Sequence, residues 1–186
     1  GDELLFILAM HRIATGKSDA GVVGTLMSNM GLQLALAEHG IELARAKVGD
    51  RYVRELMQAH NWRLGGESSG HLICGDIATT GDGIVSALQV LVAMVHSEKS
   101  LAQLRSGMTR LPQILINVPK PAQGLDLSGD NAVTRACADV ERILEGRGRV
   151  LLRPSGTEPV IRVMVEGDDA DEIAQLAERV ADSIRN

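Results

Sequence analysis

Residues 21–48 read GVVGTLMSNMGLQLALAEHGIELARAKV, and the reading of this stretch decides the fold. Gly21 to Met27 is a short apolar run with the pattern of a buried strand. Ser28 to His39 reads as a helix closed by Gly40 at the position where helices turn into the left-handed region. Ile41 to Val48 reads as a second strand. Working outward, Leu4 to Ala14 reads as a helix before this unit and Asp50 to His60 as a helix after it. Trp62 to Gly66 and His71 to Cys74 then form a strand pair around a polar loop. Helical and strand-like patterns alternate from Gly1 to about Ser106, which predicts an α/β domain with a largely parallel sheet. The next helix carries Ile84, Val85, Leu88, Leu91, Val92 and Val95 at i, i+1, i+4, i+7, i+8 and i+11, with Asp82 as its N-cap.

Pro112, Pro119 and Pro121 punctuate the chain after Met108, and the pattern then changes. The expected boundary lies near Thr109 to Leu111, giving domains 1–108 and 109–186. In the second, Ile114 to Val118, Val150 to Leu152 and Val160 to Val165 read as strands. Ala132 to Leu144 reads as a helix striped by Val133, Ala136, Cys137, Val140 and Leu144, and Ile173, Leu176, Ala177, Val180 and Ile184 stripe the last helix. Strand, helix, two strands and helix predict an α+β module with its helices on one sheet face.

The composition excludes several classes. Of 186 residues, 45% are hydrophobic and 23% charged, so the chain can bury a core. A formal net charge of −5 and only three aromatics, Phe6, Tyr52 and Trp62, give neither the electrostatic footprint nor the stacking platforms of a nucleic-acid binder. The longest mostly apolar stretch, Ile84 to Val95, is interrupted by Ser86 and Gln89 and is too short for the roughly 20 residues of a membrane span. Cys74 and Cys137 stand far apart with no Cys-x-x-Cys, so free thiols in a reducing compartment, the cytoplasm, are expected. The acidic lead Gly1-Asp2-Glu3 is wrong for a signal peptide, and the missing initiator Met is what a fragment would show.

Two loops carry the chemistry. Arg153-Pro154-Ser155-Gly156-Thr157-Glu158-Pro159 lies between two expected strands and suits a phosphate: the guanidinium offers a fork, the hydroxyls donate, and Gly156 allows backbone N–H groups to turn inward. Residues 147–162 hold four arginines, Arg147, Arg149, Arg153 and Arg162, against one acid, Glu158. On composition alone, a Pro/Gly turn with solvated arginines accounts for this loop equally well. Gly65-Gly66-Glu67-Ser68-Ser69-Gly70-His71 gathers a carboxylate, two hydroxyls and an imidazole in a glycine-rich loop, a set that suits sugar hydroxyls and proton movement. A hairpin turn with an exposed Glu is the plainer alternative. Lys47 to Arg51 follows an expected strand, where α/β sheets bind ligands, although Asp50 could simply cap the next helix. Thr79 to Gly83 reads as a turn and a cap. His11, His39, His60 and His96 show no metal-ligand spacing.

These loops, with Gly1-Asp2-Glu3-Leu4-Leu5, Val23 to Asn29, Lys47 to Val53, Gly148 to Arg153 and Ser155 to Pro159 in this order, resemble the α-D-phosphohexomutase superfamily along the whole chain. The resemblance implies the third and fourth of four domains, an α/β domain followed by a TATA-binding-protein-like α+β domain. The first two domains, which carry the phosphoserine loop and the aspartate-rich Mg²⁺ loop, would be partners of this chain; neither motif occurs here. It implies further that Arg153, Ser155, Gly156 and Thr157, supported by Arg162, clamp the non-reacting phosphate of a phosphosugar. Glu67 and Ser69 would hold sugar hydroxyls, with His71 and Lys47 near the reacting oxygen. Ser68 stands where mutases of glucose or mannose phosphates commonly have Met. It favours glucosamine 6-phosphate and glucosamine 1-phosphate, interconverted through glucosamine 1,6-bisphosphate for cell-wall precursor synthesis. Pro154 stands where relatives acting on glucosamine phosphates often have Lys, one positive charge fewer. A phosphomannomutase or phosphoglucomutase, or a phosphosugar-binding module without catalysis, are the alternatives.

Overall fold

The computed structural model describes residues 1–121, 129, 131–156 and 158–185. The chain divides into two units, Gly1–Arg110 and Leu111–Asn186.

The first unit runs α1 (Asp2–Ala14), β1 (Gly21–Thr25), α2 (Met30–Ala37), β2 (Glu42–Ala46), α3 (Asp50–His60), β3 (Leu64–Gly66), β4 (Leu72–Cys74), α4 (Gly83–Ser97) and α5 (Leu101–Arg105). Its four strands lie in the order β2-β1-β3-β4. β2 and β3 flank β1 in parallel, and β4 joins β3 antiparallel with Gly65 opposite Ile73. Every residue of β1 is buried, as a central parallel strand requires. Val22 faces a core built from Leu5, Phe6 and Leu8 of α1, Leu32 and Leu36 of α2 and Val90 of α4. Val23 faces the other side, with Val53 and Met57 of α3 and Trp62. Gly40, at φ +70°, turns the chain from α2 toward β2.

Three local outcomes add to or differ from the sequence reading. Gly49, not Asp50, is the N-cap of α3, at a φ of 128° that disfavours any side chain. α5 has no counterpart in the expected elements; it is nucleated by a capping box in which Ser100 Oγ accepts from the Gln103 N–H at 3.3 Å while Gln103 Oε1 accepts from the Ser100 N–H at 2.8 Å. α4 forms where expected, and Asp82 Oδ1 caps it by accepting from Ile84 N at 2.8 Å and Val85 N at 2.9 Å. Its buried residues, however, are Ser86, Val90 and Ala93, while Ile84, Leu88, Leu91, Val92 and Val95 are exposed.

The second unit runs β5 (Gln113–Pro119), α6 (Ala132–Leu144), β6 (Arg149–Pro154), β7 (Val160–Glu166) and α7 (Ala170–Arg185), with an antiparallel sheet in the order β5-β7-β6. Ile161, Val163 and Val165 of β7 pack with Val140 and Leu144 of α6 and with Ile173, Ala177 and Val180 of α7, so both helices cover one face. Alternation sends Arg162, Met164 and Glu166 to the other face. There Glu166, fully buried, accepts from Gln113 Nε2 of β5 at 2.8 Å and from the Arg149 guanidinium of β6. These three residues form one row across the sheet.

Candidate active site

In the first unit the parallel strands β1, β2 and β3 end at the same sheet edge, where the crossover loops leave room for a ligand. The loop after β2 brings Lys47, Gly49 and Asp50 to this edge; the loop after β3 brings Glu67, Ser69 and His71. The Glu67 loop is a tight hairpin in which Glu67 N–H donates to the His71 carbonyl and Gly70 N–H to the Glu67 carbonyl, both at 2.9 Å. Gly49 N–H donates to Glu67 Oε1 at 2.9 Å, which ties the two loops together. Glu67 Oε2 and the exposed Ser69 hydroxyl have no partner among the described residues and remain available to a ligand. The Lys47 ammonium lies over the Tyr52 ring, 5.9 Å from its centroid.

The His71 imidazole is held from two sides. Its Nε2 has no hydrogen-bond partner and stands 3.6 Å from Asp50 Oδ2, just beyond hydrogen-bond reach. On the other side lies Gly81, where a Cβ would come within 2.1 Å of His71 Nε2. Residue 81 must therefore lack a side chain for the ring to sit here. Gly1 approaches the same loop: a Cβ on it would meet the Glu67 carbonyl at 2.1 Å. Gly49 and Asp50 belong to the Lys47 to Arg51 stretch that the sequence already offers as a ligand-binding loop, whereas Gly81, packed against His71, is presented by the sequence only as part of a turn and a cap.

The second unit supplies a different constellation. Arg153 and Arg162 are directly opposed on β6 and β7. Arg162 pairs with Glu158 Oε2 at 2.8 Å. Arg153 has no acidic partner among the described residues, and the Nε atoms of both arginines are buried without an acceptor. Burial, with Arg162 adding to it, lowers the Arg153 pKa from its ordinary value, so the fold works against this charge instead of neutralising it. The following turn is fixed by Ser155, whose N–H donates to the Val160 carbonyl at 2.9 Å and whose Oγ accepts from Glu158 N at 3.2 Å. Gly156 is exposed with nothing within 4 Å of a Cβ position, and its φ is outside the left-handed region, so no inward nest forms around a left-handed Gly156. Thr157 lies outside the described residues. The arrangement places two guanidinium groups opposite each other, one of them without an acidic partner among the described residues, a chemistry that suits an oxyanion.

No three His, Cys, Asp or Glu side chains among the described residues group in a way that could hold a metal ion. No helix of the described residues is long and apolar enough to cross a membrane.

The chain is thus an α/β unit carrying a polar, glycine-rich loop, followed by an α+β unit with a cationic turn. The family models agree: "Phosphoglucomutase/phosphomannomutase, alpha/beta/alpha domain III" matches residues 1–111 and "Phosphoglucomutase/phosphomannomutase, C-terminal domain" matches residues 115–183, and the chain belongs to this family. Among its relatives are a protein of Edwardsiella ictaluri named phosphoglucosamine mutase, 58% identical over 185 residues, and one of the same name from Aeromonas salmonicida, 56% identical over 186. All of this chain aligns, but only 41% and 42% of those proteins does, so it spans about two fifths of their length and corresponds to their C-terminal part. Of solved structures, Aspergillus fumigatus N-acetylphosphoglucosamine mutase in complex with GlcNAc-6P and magnesium superposes with a TM-score of 0.79 at 19% identity, covering the whole of this chain and 47% of that one. A putative phosphomannomutase from Thermus thermophilus gives 0.66 at 20% identity, with 40% of that chain covered. These structural likenesses establish the shared fold.

Proposed function

We propose that this chain is the sugar- and phosphate-holding part of a longer enzyme that interconverts glucosamine 6-phosphate and glucosamine 1-phosphate. The observation that carries this reading is Arg153: a half-buried guanidinium opposite Arg162, with no acidic partner among the described residues, is a charge that a bound oxyanion would neutralise. The anion is the phosphate that is not reacting. Glu67 Oε2 and Ser69 accept and donate to two neighbouring sugar hydroxyls. Near the reacting oxygen, the partly exposed His71 imidazole takes the proton of the attacking hydroxyl, and Lys47 balances the charge that develops.

Phosphoryl transfer in both directions passes through glucosamine 1,6-bisphosphate, with the phosphorylated serine and the Mg²⁺ ligands in the part of the protein that precedes residue 1. No three His, Cys, Asp or Glu side chains among the described residues are placed to hold a Mg²⁺ ion. The sugar is assigned from the names of the relatives and from Ser68. The free thiols Cys74 and Cys137 accord with the reducing cytoplasm.

The test is a coupled assay of the full-length protein in both directions with Arg153→Ala alongside. The wild type should form glucosamine 1-phosphate from the 6-phosphate. The variant should lose about 10-fold or more in kcat/KM, because a charge-assisted hydrogen bond contributes roughly 1.5–3 kcal/mol. Faster turnover of mannose or glucose phosphates would reassign the substrate. No turnover of any hexose phosphate, with binding intact, would make the protein a binding module.

A further inference from the structure

We propose that the exposed apolar stripe of α4 is the seat of the domain that precedes residue 1 in the full-length protein. Ile84, Leu88, Leu91 and Val95 fall at i, i+4, i+7 and i+11 and are joined on the same side by Ala87 and Val92. Ile84 and Val95 are 76% and 78% exposed, and Leu88, Leu91 and Val92 are about half exposed. Single exposed leucines are ordinary, but a helix face that is aliphatic from Ile84 to Val95, with the exposed His96 only at its end, is what a solvent-facing surface avoids. Charge appears only at the ends of the stripe, at Asp82 and at Glu98 and Lys99. This spacing is the seam that receives the apolar stripe of another helix.

The occupant follows from the length of chain outside the structure and from where it joins. The matched family models are domain III and the C-terminal domain, so lower-numbered domains stand before Gly1, and the relatives are more than twice as long as this chain. Gly1 opens α1, and α1 is the neighbour of α4 in one helical layer: Leu5, Leu8 and Val90 share a core, and the rings of His11 and His96 meet edge-on with centroids 5.4 Å apart. Both helices also begin at the same loop, Gly1 against Glu67 and Gly70, Gly81 against His71. The polypeptide before Gly1 therefore enters beside the loop that also borders the start of α4. One further group marks the place: Asp2 is buried, its Oδ2 accepts from Asn29 N at 2.8 Å, and its Oδ1 is left without a donor. A domain tethered there acts at millimolar effective concentration, which a second copy of the chain reaches only when concentrated.

The inference rests on the chain being part of a longer protein and not on the reaction proposed for it. It is tested on the full-length protein carrying Val95→Cys, a near-isosteric change, by following maleimide labelling of residue 95 with peptide-resolved mass spectrometry in native and unfolded protein. Native labelling should be at least 10-fold slower, and the protection should persist as the protein is diluted until light scattering shows monomer. Protection below 10-fold overturns the proposal, and protection that disappears on dilution overturns it in favour of a second copy. Hydroxyl-radical footprinting of the unaltered full-length protein reads Leu88 and Leu91 without any substitution. Oxidation at least 10-fold below that of the free amino acid supports the seat, and oxidation like that of the exposed Leu34 overturns it. A protein that turns over phosphosugar while this stripe labels freely would keep its proposed function and lose only this interface.

Discussion

Glu67 does two things with one carboxylate: Oε1 accepts from Gly49 N and holds the neighbouring loop, while Oε2 is left for a ligand. Glu67→Gln separates these, since the amide oxygen can keep the bond to Gly49 but the charge is gone. In the full-length protein both reaction directions should lose kcat by similar factors, about 10-fold if roughly 1.5 kcal/mol of transition-state binding disappears. Equal losses are expected because two adjacent hydroxyls occupy much the same place whichever end of the sugar phosphate reacts. Affinity for only one of the two monophosphates falling, or nothing changing, would reduce Glu67 to a turn residue. The candidate residues Glu67, Ser69, His71 and Arg153 stand out in the sequence because their side chains carry chemistry that a phosphosugar could use. Gly81 does not, because its contribution is an absent side chain, and that absence has meaning only once the His71 ring is in place.

At the scale of elements, α3 and α6 have the bounds their sequences predict, Asp50–His60 and Ala132–Leu144, since each is amphipathic and flanked by residues that stop a helix. α5 escapes a reading by periodicity because five residues give little more than one turn, although Ser100 and Gln103 already spell its cap. α4 is legible as a helix but not in its orientation, because it is apolar on more than one side and the sequence does not say which side finds the sheet. Its cap is measurable: Asp82→Ala should lower the unfolding free energy by about 1 kcal/mol in a denaturant melt, and Asp82→Asn should restore most of it. An unchanged midpoint would mean that α4 is held by packing alone. In α6, burial first and Glu141 second push the Cys137 thiol up to about 11. The fold favours its neutral form, so no stability is lost on this account below about pH 9, and the thiol opposes folding progressively as pH rises from there through about 11. At pH 8 the thiolate fraction should be about 100-fold below that of an ordinary cysteine, and iodoacetamide should alkylate Cys137 correspondingly slowly. Alkylation at the rate of free cysteine would contradict the burial.

For the molecule as a whole, the proposed roles divide between the two units, since one offers a carboxylate, a hydroxyl and an imidazole and the other a pair of guanidinium groups. Neither holds a metal-ligand cluster among its described residues. The 186-residue chain alone, given glucosamine 6-phosphate, the bisphosphate and Mg²⁺, should therefore form no glucosamine 1-phosphate, and any clear turnover would sink the division of roles. In an NMR titration with sugar phosphate, the shifts should centre on residues 153–157, and a response confined to the first unit would contradict the clamp. The row of Gln113, Glu166 and Arg149 has a consequence for how that clamp comes to exist at all. Arg162 and Glu166 lie four residues apart on β7, each opposite an arginine of β6. If β6 paired with β7 one residue out of step, side chains would swap faces: Arg153 would be driven under the helices and Glu166 would lose its guanidinium. The misaligned sheet would carry two errors, an arginine among aliphatic side chains and a buried carboxylate stripped of its counter-charge, each costing several kcal/mol. The ion pair at one end of the strand thus proofreads the alignment of the arginines at the other, and a refolding chain that slips is sent back before a ligand ever meets it.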